Sequence, residues 1–244
     1  MMYPLRYVPT GHIFIDATDD CDLVIDAILE TDYSEEFCLA NDFNDAFVRQ
    51  LMEAGFLVMS MELKHEDSGK GSKSKKAKRF YILLPKLHLV RSALFFPDLH
   101  IKKSIRRFLS RYELRVDADF DFILDKCVQI HGPDWLTPPL VRILKSIHRN
   151  NTGTRPVSFA VYRDGKLKAG EIGVIVGQVY TSYSGYYEED NAGTVQMILM
   201  TRWLEENGFV FLDLGMPLDY KTDLGAKDIT PDRFVELFRA ARGL

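Results

Sequence analysis

Between residues 157 and 213 the chain spells out a meander of strands, a long helix and one more strand, and this order restricts the fold more than any other feature. The run Val157-Ser158-Phe159-Ala160-Val161-Tyr162 is rich in β-branched and aromatic residues. Asp164-Gly165 is a two-residue hairpin signal, because both positions tolerate positive φ, and residues 167–176 supply the partner strand. Gly177-Gln178 marks a second turn before a third strand over 179–183. Residues 191–207 then read as a helix, with Asn191 as its cap and Gly208 stopping it, and 209–213 as a short buried strand. Periodicity by itself limits such a chain to a mixed α/β class.

Upstream, the spacing of Phe43, Phe47 and Leu51 predicts a helix over 42–54 stopped by Gly55, followed by a strand over 56–61. The segment 66–79 has no apolar period and carries a run of lysines, so it is expected to be a solvated loop or mobile insertion. A strand over 80–84, ended by Pro85, follows. Helices are expected over 101–112, from 118 or 119 to 128, over 138–148, and from Pro231 onward. No internal repeat is visible.

Composition excludes several classes. No apolar run is long enough to cross a bilayer. The first residues turn acidic before any signal-like apolar stretch develops, so a cytoplasmic location is expected. Cys21, Cys38 and Cys127 are far apart and odd in number, which suits neither a disulfide framework nor a CxxC metal site. The histidines form no metal-ligand spacing, and no metal or cofactor is expected. Net charge is −4, but the N-terminal part up to about Asp45 is strongly acidic whereas residues 64–115 are basic, and such local asymmetry bears on partners more than the total does.

Three groups of residues carry candidate chemistry, each with two readings. Lys102, Lys103, Arg106 and Arg107, extended by Arg111, form one cationic flank of the 101–112 helix. Such a flank is either a solvated face or a surface that holds phosphate backbones through counterion release. Met197, Met200 and Leu204 lie at i, i+3 and i+7 on the 191–207 helix, a stripe that reads as core packing or as a pocket wall. Asp213 ends a strand, where a carboxylate serves as an acid–base group or caps the following turn.

Several stretches, in order, resemble the leucyl/phenylalanyl-tRNA–protein transferase family. Phe37-Cys38-Leu39-Ala40-Asn41-Asp42-Phe43 is similar to its opening, and the segment 96–108, with Pro97, Leu99, His100 and Arg106, is similar to its "P..LH.SRS..R" stretch. Asp119 to Cys127 resembles "D.AF..VI..CA", Trp135 stands where the family has tryptophan, and Gly170, Gly173 and Gly177 fall in register with its glycines. Asp213 matches the first residue of "DCQ", and Asp223-Leu224-Gly225-Ala226 resembles "SLGA". The resemblance runs from about residue 37 to 240, and its strength lies in the shared order.

This resemblance implies an α+β protein with a small N-terminal α/β domain (1–80, including the Lys-rich loop) and a GNAT-like acyltransferase domain (81–244). It implies transfer of an amino acid from charged tRNA to a protein N-terminus, marking it for degradation, without metal or acyl-CoA. The ester arrives activated, so the protein's task is to position the amine and manage one proton. Asp213 would be the catalytic candidate; Met197, Met200, Leu204 and Leu212 would line the aminoacyl pocket, and Trp135 would stack on the terminal adenosine. The basic flank would hold tRNA. The chain departs from the pattern at its most chemical positions. The family's "ESMFS" is Tyr183-Ser184-Gly185-Tyr186-Tyr187, so Tyr183 replaces the glutamate that holds the amino group. The glutamine of "DCQ" is Gly215, and an apolar pocket position is Glu171. Two expectations follow: a transferase whose pocket, enlarged at Gly185 and lined by Glu171, takes a polar or cationic aminoacyl group, or a binding protein that keeps the fold without the chemistry. For Glu171 an outward-facing strand position is the other reading.

Overall fold

The computed structural model describes residues 3–31, 33–63, 79–150 and 153–243. In chain order the elements are β1 (Arg6–Tyr7), β2 (Ile13–Phe14), α1 (Cys21–Leu29), α2 (Asp45–Ala54), β3 (Leu57–Leu63), β4 (Phe80–Lys86), β5 (Arg91–Leu94), a 3-10 turn (Phe96–Asp98), α3 (Lys103–Leu109), β6 (Glu113–Val116), α4 (Phe120–His131), α5 (Pro138–Asn150), β7 (Arg155–Arg163), β8 (Lys166–Val176), β9 (Val179–Tyr187), α6 (Ala192–Glu206), β10 (Phe211–Asp213), α7 (Asp219–Asp223), β11 (Lys227–Ile229) and α8 (Pro231–Arg242). This is a mixed α+β architecture.

Its centre is a seven-stranded sheet in the order β11-β5-β10-β9-β8-β7-β6. The β7–β8 hairpin turns at Asp164 (φ 53°) and Gly165 (φ 71°), the positive-φ pair the sequence predicts. All neighbouring pairs are antiparallel except β10 on β9, which is parallel because α6 crosses over between them. Strand alternation sorts the interior into two cores. Val157, Phe159 and Val161 of β7 join Tyr180 and the buried face of α6, whereas Ala160 and Tyr162 point to the other face, where α4, α5, α8 and the N-terminal elements pack.

Local chemistry fixes the helix ends. Asn44 accepts a hydrogen bond from the Phe47 amide at 2.8 Å, and Gly55 takes the left-handed conformation (φ 106°) that ends α2. The missing side chain at Gly55 also matters, since a Cβ there would approach the rings of Phe234 and Phe238 to 3.3 Å. Thr230 caps α8, and Arg242 and Arg239 tie that helix to Asp22 and Asp26 of α1, with Arg242 Nη2 at 2.7 Å from Asp22 Oδ2.

Several expectations are corrected. The strand expected to end before Pro85 runs on to Lys86, because Pro85 takes part through its carbonyl, which accepts from the Cys38 amide at 2.9 Å. The helix expected over 101–112 is only Lys103–Leu109, and the chain then turns into β6. Asn191 precedes α6 in a left-handed conformation (φ 68°) without a side-chain capping bond. The expected Lys-rich loop lies outside the described residues apart from Arg79, which pairs with Glu62 at 3.5 Å.

Candidate active site

The parallel pair β9–β10 is short: Phe211, Leu212 and Asp213 face Val179, Tyr180 and Thr181. Beyond Thr181 and Asp213 the strands part. β10 turns away at Leu214-Gly215 (φ 68° at Gly215), whereas β9 continues to Tyr187 on β8 alone. Crevices at the carboxyl ends of diverging parallel strands are common ligand sites in α/β proteins. A cavity of about 730 Å³ occupies this gap.

β9 also carries a bulge at this point. Ile172 pairs with Ser184 and Gly173 with Ser182, so Tyr183 has no partner on β8 and the strand is kinked beside the cavity. Tyr183 lines the cavity, and its hydroxyl accepts from the Val58 amide at 3.1 Å, joining β9 to β3. Burial raises its pKa, so it stays a neutral phenol. Ser184, Gly185 and Trp135 line the same cavity.

Glu171 resolves its two readings inward. It is 4% exposed, lies opposite Gly185 in the β8–β9 register, and is on the cavity wall. The Tyr180 hydroxyl donates to its Oε1 at 2.9 Å. Burial pushes its carboxyl up to about 7, against the pull of hydrogen-bonding groups on Tyr180, Ser182 and Gln196 and the charge of Lys221. A Cβ at Gly185 would sit 3.0 Å from Glu171 Cβ, so glycine leaves room for the carboxyl group.

Asp213 is fully buried, and both carboxylate oxygens are engaged. Arg91 Nε donates to Oδ1 at 2.9 Å and Nη2 to Oδ2 at 2.6 Å, while the Gly215 amide donates to Oδ1 at 3.0 Å. Burial by itself raises the carboxyl pKa, but the charge and paired hydrogen bonds of Arg91 outweigh it and hold the group below its ordinary value. Asp213 therefore stands behind the cavity wall as an ionised partner. Of the residues expected to line the aminoacyl pocket, Met197 reaches the cavity; Met200 and Leu204 of α6 and Leu212 of β10 are 0% exposed in the α6-side core and are not among the lining residues.

The basic flank lies on α3 and its flanks, exposed and away from the cavity lining. Lys102 is paired with Asp223 at 2.5 Å, Arg106 Nε donates to the Ile101 carbonyl at 3.4 Å, and Arg107 and Arg111 lie over the Phe108 ring at 4.9 and 5.1 Å. Lys103 is exposed.

Sequence reasoning missed two buried bases on the cavity. Lys221 of α7 donates to the Leu214 carbonyl at 2.6 Å and the Met216 carbonyl at 2.8 Å, and burial lowers its pKa to about 8. His88, between β4 and β5, is 3% exposed. Neither has a spacing signal, because each is brought to the site by a short connection whose path only tertiary pairing sets. Among the described residues no cluster of His, Cys, Asp and Glu is arranged to hold a metal, and no helix is long and apolar enough to cross a membrane.

Comparison with known proteins places this geometry in a family. The family model described as leucyl/phenylalanyl-tRNA protein transferase matches residues 93–239. Curated proteins named leucyl/phenylalanyl-tRNA–protein transferase are similar, from Pseudomonas putida (strain W619) at 29% identity and from Azotobacter vinelandii at 30%. These matches cover 60% and 59% of this chain and only 66% and 65% of the relatives' own lengths. Among solved structures, FemX superposes with a TM-score of 0.47 at 11% identity, covering 96% of this chain and 85% of that one. The structure of L-PGS from Bacillus licheniformis gives a TM-score of 0.41 at 12% identity, covering 96% and 88%. Because the family model spans more than half of the 244 residues, the chain belongs to the leucyl/phenylalanyl-tRNA protein transferase family.

Proposed function

We propose that this protein transfers an amino acid from charged tRNA to the N-terminus of an acceptor protein in the cytoplasm, tagging it for degradation, on a GNAT-like scaffold. The observation that carries this reading is the cavity at the parting of β9 and β10, most of whose wall comes from the part of the chain that matches the family, with Leu57, Met59, Lys86 and His88 added from the segment before it. Such a reaction needs little covalent chemistry from the protein, since an ester is already activated toward an amine. What it needs is a walled site for the aminoacyl end, a place for the amine, and a route for one proton.

Within that reading each residue takes a part. Trp135 stacks on the terminal adenosine, and Tyr183, Ser184 and Met197 wall the aminoacyl group. Glu171, with room left by Gly185, favours an aminoacyl group bearing a polar or cationic end over leucine or phenylalanine, because an apolar group packed against a buried carboxyl gives it no compensation for lost water. Asp213 acts through Arg91 and the Gly215 amide by fixing the turn at 214–216. Lys103, Arg107 and their neighbours on α3 hold the tRNA backbone.

The test is transfer of labelled amino acids, from a mixed pool of charged tRNAs, onto peptides with each possible N-terminal residue. Incorporation identifies both specificities. A second reading, a non-catalytic binder of charged tRNA or of a peptide N-terminus, is favoured by one observation: the Tyr183 hydroxyl is already taken by the Val58 amide. Binding of charged tRNA with no incorporation would select it.

A further inference from the structure

His88 is a buried imidazole on the cavity wall with no hydrogen bond at either ring nitrogen. Folds satisfy nearly all such groups, so a buried ring on a cavity wall is suited to partner a polar group that enters the cavity. Its surroundings are built. Glu36 is held by Lys86 Nζ at 2.8 Å on Oε2 and by the Leu89 amide at 3.2 Å on Oε1, and the Leu87 amide donates to the Glu36 carbonyl at 2.9 Å. That grip brings Glu36 Oε1 to 3.7 Å from His88 Nδ1. On the opposite side of the ring, a Cβ at Gly215 would lie 3.4 Å from Nε2 and 3.6 Å from Leu57 Cδ1. Glycine there keeps a side chain off Nε2.

The charge state follows from the same neighbours. Burial lowers the imidazole to about 3, with the cations Arg91 and Lys86 acting the same way and the anions Asp213 and Glu36 opposing them. The ring is therefore neutral near pH 7 and carries one proton. A neighbouring carboxylate selects the tautomer with that proton on the nitrogen facing it, here Nδ1, which leaves the Nε2 lone pair toward Gly215.

We propose that His88 Nε2 receives the acceptor amine, with Glu36 orienting the ring and Gly215 leaving the space. This rests on the transfer reaction proposed above. The unprotonated amine nitrogen attacks the ester carbonyl carbon, the amide C–N bond forms, and the C–O bond to the ribose breaks. The proton leaving that nitrogen passes to Nε2 and then to the departing ribose oxygen, so the imidazole ends neutral as it began.

The test uses the full chain with ¹⁵N-labelled histidine. In the free protein His88 is expected as the Nδ1–H tautomer. In a panel of dipeptide amides covering each N-terminal residue, at least one should move the Nε2 resonance, whereas its N-acetyl form should not, and Glu36→Gln should abolish the response. In single-turnover transfer His88→Asn and His88→Gln should slow the chemical step by at least about tenfold while charged-tRNA binding stays within about twofold. An Nε2 resonance unmoved by every dipeptide of the panel at saturation, or wild-type transfer by His88→Asn, would overturn the proposal. A moving resonance in a protein that transfers nothing would support the amine site and sink the transferase reading alone.

Discussion

Arg91 and Asp213 form a two-bonded ion pair on neighbouring strands, at 2.9 and 2.6 Å, with the arginine 1% and the aspartate 0% exposed. The pair also carries the ring of Phe234, over which the guanidinium lies at 3.8 Å, and a hydrogen bond from Arg91 to the Gly55 carbonyl at 3.2 Å. Removing one partner leaves the other charge buried, so Arg91→Leu should cost about 3–5 kcal/mol in urea unfolding, whereas Arg91→Leu with Asp213→Leu should cost less than either change alone. Additive losses would show that the two residues act independently. The pH sign is set by the aspartate, whose folded value lies below its unfolded one. Its contribution is full above the unfolded carboxylate range and is lost as pH falls through the folded value.

Glu171 has the opposite sign. Its folded value, about 7, lies above the ordinary carboxylate range. The native state therefore holds a proton that the unfolded chain has released, and stability falls as pH rises from about 4.5 to about 7. Glu171→Gln should flatten this dependence, removing a slope of at most roughly 1.4 kcal/mol per pH unit. Urea midpoints of both proteins at pH 4.5, 6 and 8 are the measurement, and parallel curves would mean that the carboxyl is ionised throughout. In a transfer assay, Glu171→Met should shift preference toward leucine or phenylalanine.

Gly173 marks the place where β8 meets the bulge on β9. A Cβ there would fall 2.3 Å from the Thr181 carbonyl oxygen and 2.4 Å from Tyr180 Cζ, and neither the backbone nor a ring 0% exposed can withdraw cheaply. Gly173→Ala is expected to cost about 2 kcal/mol or more and to disturb the Tyr180–Glu171 hydrogen bond. Gly208→Ala is a useful control, because a Cβ at Gly208 meets nothing within 4 Å, although its positive φ of 80° still carries a strain cost of about 1 kcal/mol. Thermal unfolding of the two variants gives the ordering directly.

Much of the sheet was legible because its signals are local. The Asp164-Gly165 turn, the alternation along β7 and the glycine after α2 each specify conformation within a few residues. β5, β6 and β11 were not legible, since strands of four, four and three residues exist only through their partners. α1 was hidden because its acidic residues mask the buried set Val24, Ile25 and Ile28. At the site, Trp135, Glu171, Tyr183, Ser184, Gly185, Met197 and Gly215 do come together, in keeping with the order of motifs. Met200 and Leu204 of α6 and Leu212 of β10 lie outside the cavity lining, because a helix stripe or a buried strand position says which way a residue points and not how far the cavity extends. His88 and Lys221 required the path of short connections that sequence does not encode locally.

The cationic flank of α3 offers a test that separates its residues. Lys102 is partnered by Asp223, and Arg107 and Arg111 rest on Phe108, while Lys103 projects from the helix start. A phosphate backbone gains most from cations that do not first have to break an ion pair, so Lys103→Glu with Arg107→Glu should weaken tRNA binding more than Lys102→Ala does. If two phosphate contacts are lost, the slope of log affinity against log salt should shrink by about 1.4–1.8. Titrating tRNA into each protein at three salt concentrations reads both quantities. An unchanged slope in the double variant would assign this helix face to solvent and move the tRNA site elsewhere on the protein.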